Sequence, residues 1–314
     1  MCSSDLELPL RRLPVPSVIV VHDVGPLVAP AFYSFPKRLR YQAVMPRACR
    51  LATSVVCVSQ ATLMSLHAAT GIDPRRCEVI GEGPQLLGAT PAAPSPAEPY
   101  LLYVGSLEAR KNVNTLIDAV ALAEPPLPAT LLIVGPVDAR ATAALQRRLV
   151  EAGAADRVRY LGFVSPDTLT TLYRDASALV LPSLYEGFGL PVLEAMQSGT
   201  PVVASDIPSV REVAGDAALY VSRPLDAACW GDALARICAD PSLRNELARH
   251  GAEAAAQFSW SHVGQRFSDL LYRVAEHSGA RAVPRAPSVE ADAWPQRAAP
   301  SVPAGVLADA EPPE

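Results

Sequence analysis

Two carboxylates eight residues apart mark the run LPSLYEGFGLPVLEAMQSGTPVVAS, residues 181–205: Glu186 and Glu194. Pro191 suits the first turn of a helix, where a missing N–H costs nothing, so a helix is predicted to start near Leu190. Glu186 then lies in the loop ahead of that helix and Glu194 about one turn inside it. Helical side chains lean towards the N-terminus, which lets Glu194 reach back to the pocket that Glu186 approaches. Between them the N–H groups of Gly187, Phe188, Gly189 and Leu190, with the positive end of the helix dipole, form a site for a phosphate-type anion. The glycines let a ligand touch the backbone. Acidic side chains beside an anion site suit a ligand whose hydroxyls flank a diphosphate, because carboxylates accept from a vicinal diol or a ribose. A nucleotide-sugar has that layout. The other reading is a capped helix with two incidental glutamates.

A second group is YVGSLEARKNV, residues 103–113, an apolar strand breaking into a loop with Arg110 and Lys111. Cations at the carboxyl end of a parallel strand stand where open α/β sheets bind ligands. They could offset charge on a diphosphate leaving group, a task other proteins give to Mg²⁺. No acidic cluster resembles a metal site, so the expectation is metal-free chemistry with no cofactor. A solvated charge pair at a helix start is the alternative. Third, His22–Asp23 follows the strand SVIVV; His22 could bond a sugar hydroxyl or relay a proton, or Asp23 could simply cap a turn. Ser59 reads mainly as the N-cap of a helix over 60–69.

These residues must be held by the elements around them. Strands are predicted at 17–21, 54–58, 100–105, 130–135, 158–163, 178–183, 201–205 and 217–221, and helices at 113–123, 139–153, 166–175, 191–198 and 208–213. The strand runs are continuously apolar, as in parallel sheets covered on both faces. Alternation with helices is βαβ rhythm, hence an α/β fold with doubly wound sheets. Neither Gly187–Phe188–Gly189 nor Gly81–Glu82–Gly83 has the third glycine of a dinucleotide fingerprint, and no P-loop motif exists.

Proline, 31 of 314 residues, is about twice its usual share. Five prolines fall in 84–99, read as a linker, and seven in 279–314. The segment 277–314 is read as a disordered Ala/Pro-rich tail, too poor in large apolar groups to offset the entropy of ordering. Net charge −5 gives no basic footprint for nucleic acid. The six cysteines, Cys2, Cys49, Cys57, Cys77, Cys229 and Cys238, follow no metal-binding spacing and read as scattered thiols. No apolar run approaches the ~20 residues that span a bilayer, and no secretory signal is visible, so a cytoplasmic location is expected.

Taken together, HD after an apolar strand, VS-x-AT, GSLEARKN, TLLIVG, YLGFVS, the E-x7-E run continuing into SGTPVVASDIPSVREV, and FSW resemble the family-4 retaining glycosyltransferases of GT-B fold, group 1 glycosyltransferases. The likeness covers residues 17 to about 276. It implies two facing Rossmann-like lobes with parallel sheets, the C-terminal one binding a nucleotide-sugar donor. By position, Arg110 and Lys111 would contact the diphosphate, beside Gly105 and Ser106. Glu186 would meet the transferred sugar alongside Phe188, Gly189 and Leu190; Glu194 would hold the ribose; Gly162, Phe163 and Val164 would line the base. His22 would reach the sugar and the reacting centre. The helix after Phe258-Ser259-Trp260 would cross back to the N-terminal lobe.

The implied organisation is a partial acceptor-side lobe over 1–83, a linker over 84–99, a donor lobe over 100–258, a returning helix over 259–276 and the tail. A doubly wound lobe needs roughly 150 residues, so the N-terminal lobe is expected to be truncated. Relatives often carry Arg where this chain has Ser106, and the GSLE-x-RKN form resembles a mannosyltransferase-like subgroup, which leans the donor to GDP-mannose. Gly81-Glu82-Gly83-Pro84 replaces the usual PNG-V turn. The expected activity is that of a hexosyltransferase acting on a glycan or lipid-linked acceptor in polysaccharide biosynthesis; the alternative is a non-catalytic nucleotide-sugar-binding remnant. Segment 36–50 carries Lys37, Arg38, Arg40, Arg47 and Arg50 and no acid. It reads either as an ordinary solvated helix or as a peripheral contact with anionic membrane or a pyrophosphate-linked acceptor.

Overall fold

A computed structural model describes residues 11, 13–84, 96, 98–136 and 139–276. Most of the proline-rich run 84–99 and all of the 277–314 tail lie outside the described residues. The chain divides into two units, one of residues 1–83, 186–188 and 258–314, the other of 84–185 and 189–257.

In the first unit β1 (Val18–Val21), α1 (Gly25–Val28), α2 (Phe35–Leu51), β2 (Ser54–Cys57), α3 (Gln60–Thr70) and β3 (Cys77–Val79) follow in order. The strands pair in parallel as β1-β2-β3. Strand side chains alternate between faces, so β2 serves two cores. Val55 and Cys57 pack with Ile19, Val21, Met45, Cys49 and Leu66. Val56 points the other way and packs with Ile80 and Leu270, the last from α11 (Trp260–Glu276). An ion pair between Arg273 of α11 and Glu78 of β3 borders this second core. Ser59 caps α3 as expected, accepting from the Thr62 N–H at 2.9 Å. Strand β3 escapes a sequence reading because its three residues include the charged Glu78.

The second unit runs β4 (Tyr100–Val104), α4 (Val113–Leu122), β5 (Thr130–Val134), α5 (Ala139–Glu151), β6 (Val158–Gly162), α6 (Pro166–Asp175), β7 (Ala178–Leu181), α7 (Leu190–Gln197), β8 (Val202–Ser205), α8 (Pro208–Ala214), β9 (Ala218–Val221), α9 (Ala227–Ala239) and α10 (Pro241–Ala255). All pairings are parallel, in the order β6-β5-β4-β7-β8-β9. The order reverses between β4 and β7, where ligands enter such sheets at the carboxyl ends of the strands. Helices cover both faces, which is why β7 and β8 are buried along their whole length. Tyr103, Leu116, Ile133, Val180 and Trp230 are fully buried in one core.

Candidate functional site

The loops leaving β4 and β7 are laced together at the reversal point. After β4 the chain forms a single 3-10 turn, Ala109–Lys111. The Arg110 carbonyl accepts from the Leu184 N–H at 2.8 Å, and its guanidinium donates from Nη1 to the Tyr185 carbonyl at 3.3 Å and from Nε to Glu108 Oε2 at 2.8 Å. Lys111 is only 8% exposed. Thus the two cations belong to the loop rather than to the start of α4. Asn112 closes the turn in the left-handed region, φ 55°. Its Nδ2 donates to the carbonyls of Pro182 (3.2 Å) and Pro224 (2.7 Å), and its Oδ1 accepts from the Thr115 hydroxyl at 2.7 Å. One side chain therefore ties the segments after β4, β7 and β9.

Gly105 and Ser106 are held by backbone contact. Tyr103 donates its hydroxyl to the Ser106 carbonyl at 2.6 Å. A Cβ at Gly135 would lie 2.1 Å from the Gly105 carbonyl, so only glycine lets the ends of β4 and β5 approach this closely. Gly162 is buried at the end of β6, Val164 is half-buried, and the Phe163 ring between them is 77% exposed.

Helix α7 starts at Leu190, as Pro191 predicts, with Gly189 before it at φ 113°. The Gly189 carbonyl accepts from the N–H groups of Val192 and Leu193. The first N–H groups of a helix have no partner within it and point along the axis, which is the geometry for an anion. Glu194 is buried and accepts from the Tyr173 hydroxyl at 2.8 Å. Burial, then the charge and hydrogen bond of Glu194, push the Tyr173 hydroxyl well above its ordinary range, so it remains a neutral donor. Tyr173→Phe is expected to lower thermal stability, since a hydrogen bond to a charged group contributes about 1.5–3 kcal/mol. Melting curves check this.

The remaining candidates sit in the first unit. His22 Nδ1 lies 2.8 Å from Glu82 Oε1. The hydrogen bond to Glu82 raises the His22 pKa, partial burial opposes it, and the charges of Glu82 and Asp23 add to the rise. Asp23 caps the following turn, its Oδ1 accepting from the Gly25 N–H at 2.9 Å. The short segment Glu186–Phe188 belongs to this unit. The Gly187 carbonyl accepts from Ser59 Oγ (2.5 Å) and Thr62 Oγ1 (2.8 Å). Because the peptide is planar and trans, pinning that carbonyl also fixes the opposed N–H of Phe188. The Phe188 ring meets Phe258 edge-on, centroids 5.9 Å apart.

Hence Arg110 joins the loop at β7, with Lys111 beside it in the same 3-10 turn, while His22 joins Glu82 and the Gly187 segment. Glu82, Tyr173, Asn112 and Gly135 are contributors that sequence reading missed as such; their partners are 21 or more residues away, and nothing local signals them. Among the described residues no group of three or more His, Cys, Asp or Glu could hold a metal ion.

A family model described as "Glycosyl transferases group 1" matches residues 92–254, and one described as "Glycosyltransferase Family 4" matches residues 5–84. The chain is 40% identical over 166 residues to O-antigen chain mannosyltransferase B of Escherichia coli, covering 52% of this chain and 43% of that protein. It is 31% identical over 244 residues to O-antigen chain mannosyltransferase RfbU of Salmonella typhimurium, covering 76% and 64%. It thus spans about two fifths to two thirds of the length of these relatives. Sucrose-phosphate synthase from Thermosynechococcus elongatus superposes with a TM-score of 0.73 at 27% identity, over 83% of this chain and 68% of that one. The α/β architecture with parallel sheets is that of the GT-B glycosyltransferases.

Proposed function

Because the chain belongs to the glycosyl transferases group 1 family, we propose that it moves a hexose, mannose from GDP-mannose in the first instance, from a nucleotide-sugar to a glycan or lipid-linked acceptor with retention at the anomeric carbon. The observation that carries this reading is the pairing, at the strand-order reversal, of a loop bearing Arg110 and Lys111 with the loop that leads into α7. A diphosphate fits there: the cations and the N–H groups at Gly189 and Leu190 meet its oxygens, with Gly105 and Ser106 alongside. Glu194, held by Tyr173, accepts from the ribose. The exposed Phe163, between Gly162 and Val164, offers a flat surface for the base. His22 and Glu186 meet the transferred sugar, with Gly187 and Phe188 beside it.

In the reaction the acceptor oxygen bonds to the anomeric carbon on the face from which the diphosphate departs. The bond from that carbon to the phosphate oxygen breaks, and the acceptor proton passes to the leaving oxygen. Arg110, Lys111 and the helix terminus stabilise the charge that develops. Incubating the purified chain with labelled nucleotide-sugars and acceptors, with NMR assignment of the anomer, tests the reading. Glu186→Ala is expected to lose most of the transfer. Wild-type rates in that variant overturn the site assignment, an inverted product overturns retention, and tight nucleotide binding without turnover favours a binding remnant.

Helix α2 supports a peripheral membrane contact as a second part of this proposal. Phe35 and Leu39 are exposed one turn apart, among Lys37, Arg38, Arg40, Arg47 and Arg50, and no acidic residue occurs between Asp23 and Asp73. Each cation near an anionic surface contributes about 1 kcal/mol, and an apolar side chain can enter the headgroup boundary. The chain should sediment with phosphatidylglycerol vesicles at low ionic strength and be released by salt, with Phe35→Ser weakening the association. Absence of low-salt binding removes the contact. No described helix is long and apolar enough to cross a membrane.

A further inference from the structure

The segment Gly81-Glu82-Gly83-Pro84 follows β3, the last strand of the first unit, and its one charged side chain falls on His22. Glu82 is well covered, 13% exposed, whereas the His22 side chain is 54% exposed. The carboxylate therefore grips the inner edge of a ring whose outer edge faces solvent. The segment is itself braced. A Cβ on Gly83 would lie 2.8 Å from both the backbone nitrogen and the ring of Trp260, so the segment packs directly on the start of α11. On the other side, the His22 carbonyl lies so close to Gly187 that a Cβ there would come within 1.9 Å of it. Both His22 and its carboxylate thus rest on backbone that cannot shift freely.

We infer that Glu82 is a positioning residue for His22, holding the ring at Nδ1 so that Nε2 is the nitrogen presented to the transferred sugar. The inference rests on the glycosyl transfer proposed above. With Nδ1–H donated to Glu82, the neutral ring offers Nε2 as an acceptor, and the protonated ring offers Nε2–H as a donor to a sugar hydroxyl. The hydrogen bond to Glu82 and its charge favour the cation, Asp23 adds to this, and burial works against it. Of the other ionisable groups near this loop, Tyr41 of α2 faces Asp23, and Glu186 precedes the glycine packed on the His22 carbonyl. A raised pKa keeps the donor form to higher pH; loss of the carboxylate moves deprotonation to lower pH.

The test uses the full chain as wild type, Glu82→Gln and Glu82→Ala, with NMR titration of the His22 ring and the pH profile of kcat/KM for transfer. Gln keeps an acceptor oxygen for Nδ1–H without the charge. In Glu82→Gln the His22 pKa and the alkaline limb of the profile are expected to fall together, with an unchanged melting temperature, a modest loss of kcat and an unaltered donor KM. Glu82→Ala, which frees the ring to rotate, should lose at least tenfold in kcat. The inference is overturned if His22 titrates in Glu82→Gln as in wild type, or if wild-type transfer is robust and the Glu82→Gln profile superimposes on it. Absence of transfer by the wild-type chain overturns the functional reading itself, an outcome separate from either of these.

Discussion

Lys111→Met should lower kcat for sugar transfer by about 10²–10³-fold while leaving the second unit folded. Lys111 ends the 3-10 turn after β4 and is 8% exposed, so its aliphatic stem is already packed. Methionine replaces most of that stem and removes only the ammonium. A cation in a water-poor site interacts several times more strongly with a developing anion than the same charge in bulk water. The effect should therefore concentrate in kcat, where the leaving diphosphate gains charge, with a smaller rise in donor KM. Initial rates at saturating donor, with a thermal melt, decide it. A kcat within twofold of wild type would place the ammonium outside the reaction and leave the task to Arg110, whose guanidinium also ties down the Tyr185 carbonyl.

Gly187→Ala carries the second large effect. The added Cβ would lie 1.9 Å from the His22 carbonyl oxygen and 3.0 Å from Asp23 Cβ. The oxygen is backbone, not the end of a flexible chain, so the segment must move by about an ångström, a displacement able to cost 10²-fold in rate. That movement strains the 2.5 and 2.8 Å hydrogen bonds from Ser59 and Thr62 to the Gly187 carbonyl. Expected are a loss of kcat/KM of about 100-fold and a destabilisation of about 1–3 kcal/mol, as for other overpacked sites. Gly264→Ala in α11 is the control: nothing lies near its Cβ, and alanine favours a helix. If the two variants melt and turn over alike, Gly187 is not the close contact described.

Much of the second unit was legible in the chain itself. Its inner strands announce themselves as mostly apolar runs because both faces of a parallel sheet are covered, whereas the edge strand β6 carries the exposed Arg159, and six of the nine strands among the described residues lie there. Pro191 announced the start of α7, and the adjacent Arg110 and Lys111 announced a cationic loop. The reading of Asn112 was poorer. Its side chain reaches the carbonyls of Pro182 and Pro224, 70 and 112 residues on, and no local pattern encodes so distant a partner. Likewise Ser59 was legible only as a cap, although the same hydroxyl also donates to a carbonyl 128 residues away. Glu82 showed itself only as a departure from a turn, not as the partner of His22.

The sequence by itself determined most of the elements, the α/β class and the types of group available for chemistry, since backbone propensity, hydrophobic period and motif spacing all act over a few residues. Tertiary structure alone decided which groups meet: Arg110 with the β7 loop, Glu194 with Tyr173, His22 with Glu82. The physical reason is that sheet order and close backbone approach at Gly135 and Gly187 set distances between residues far apart in the chain. Hydrogen bonds and pKa shifts depend on those distances, not on sequence separation.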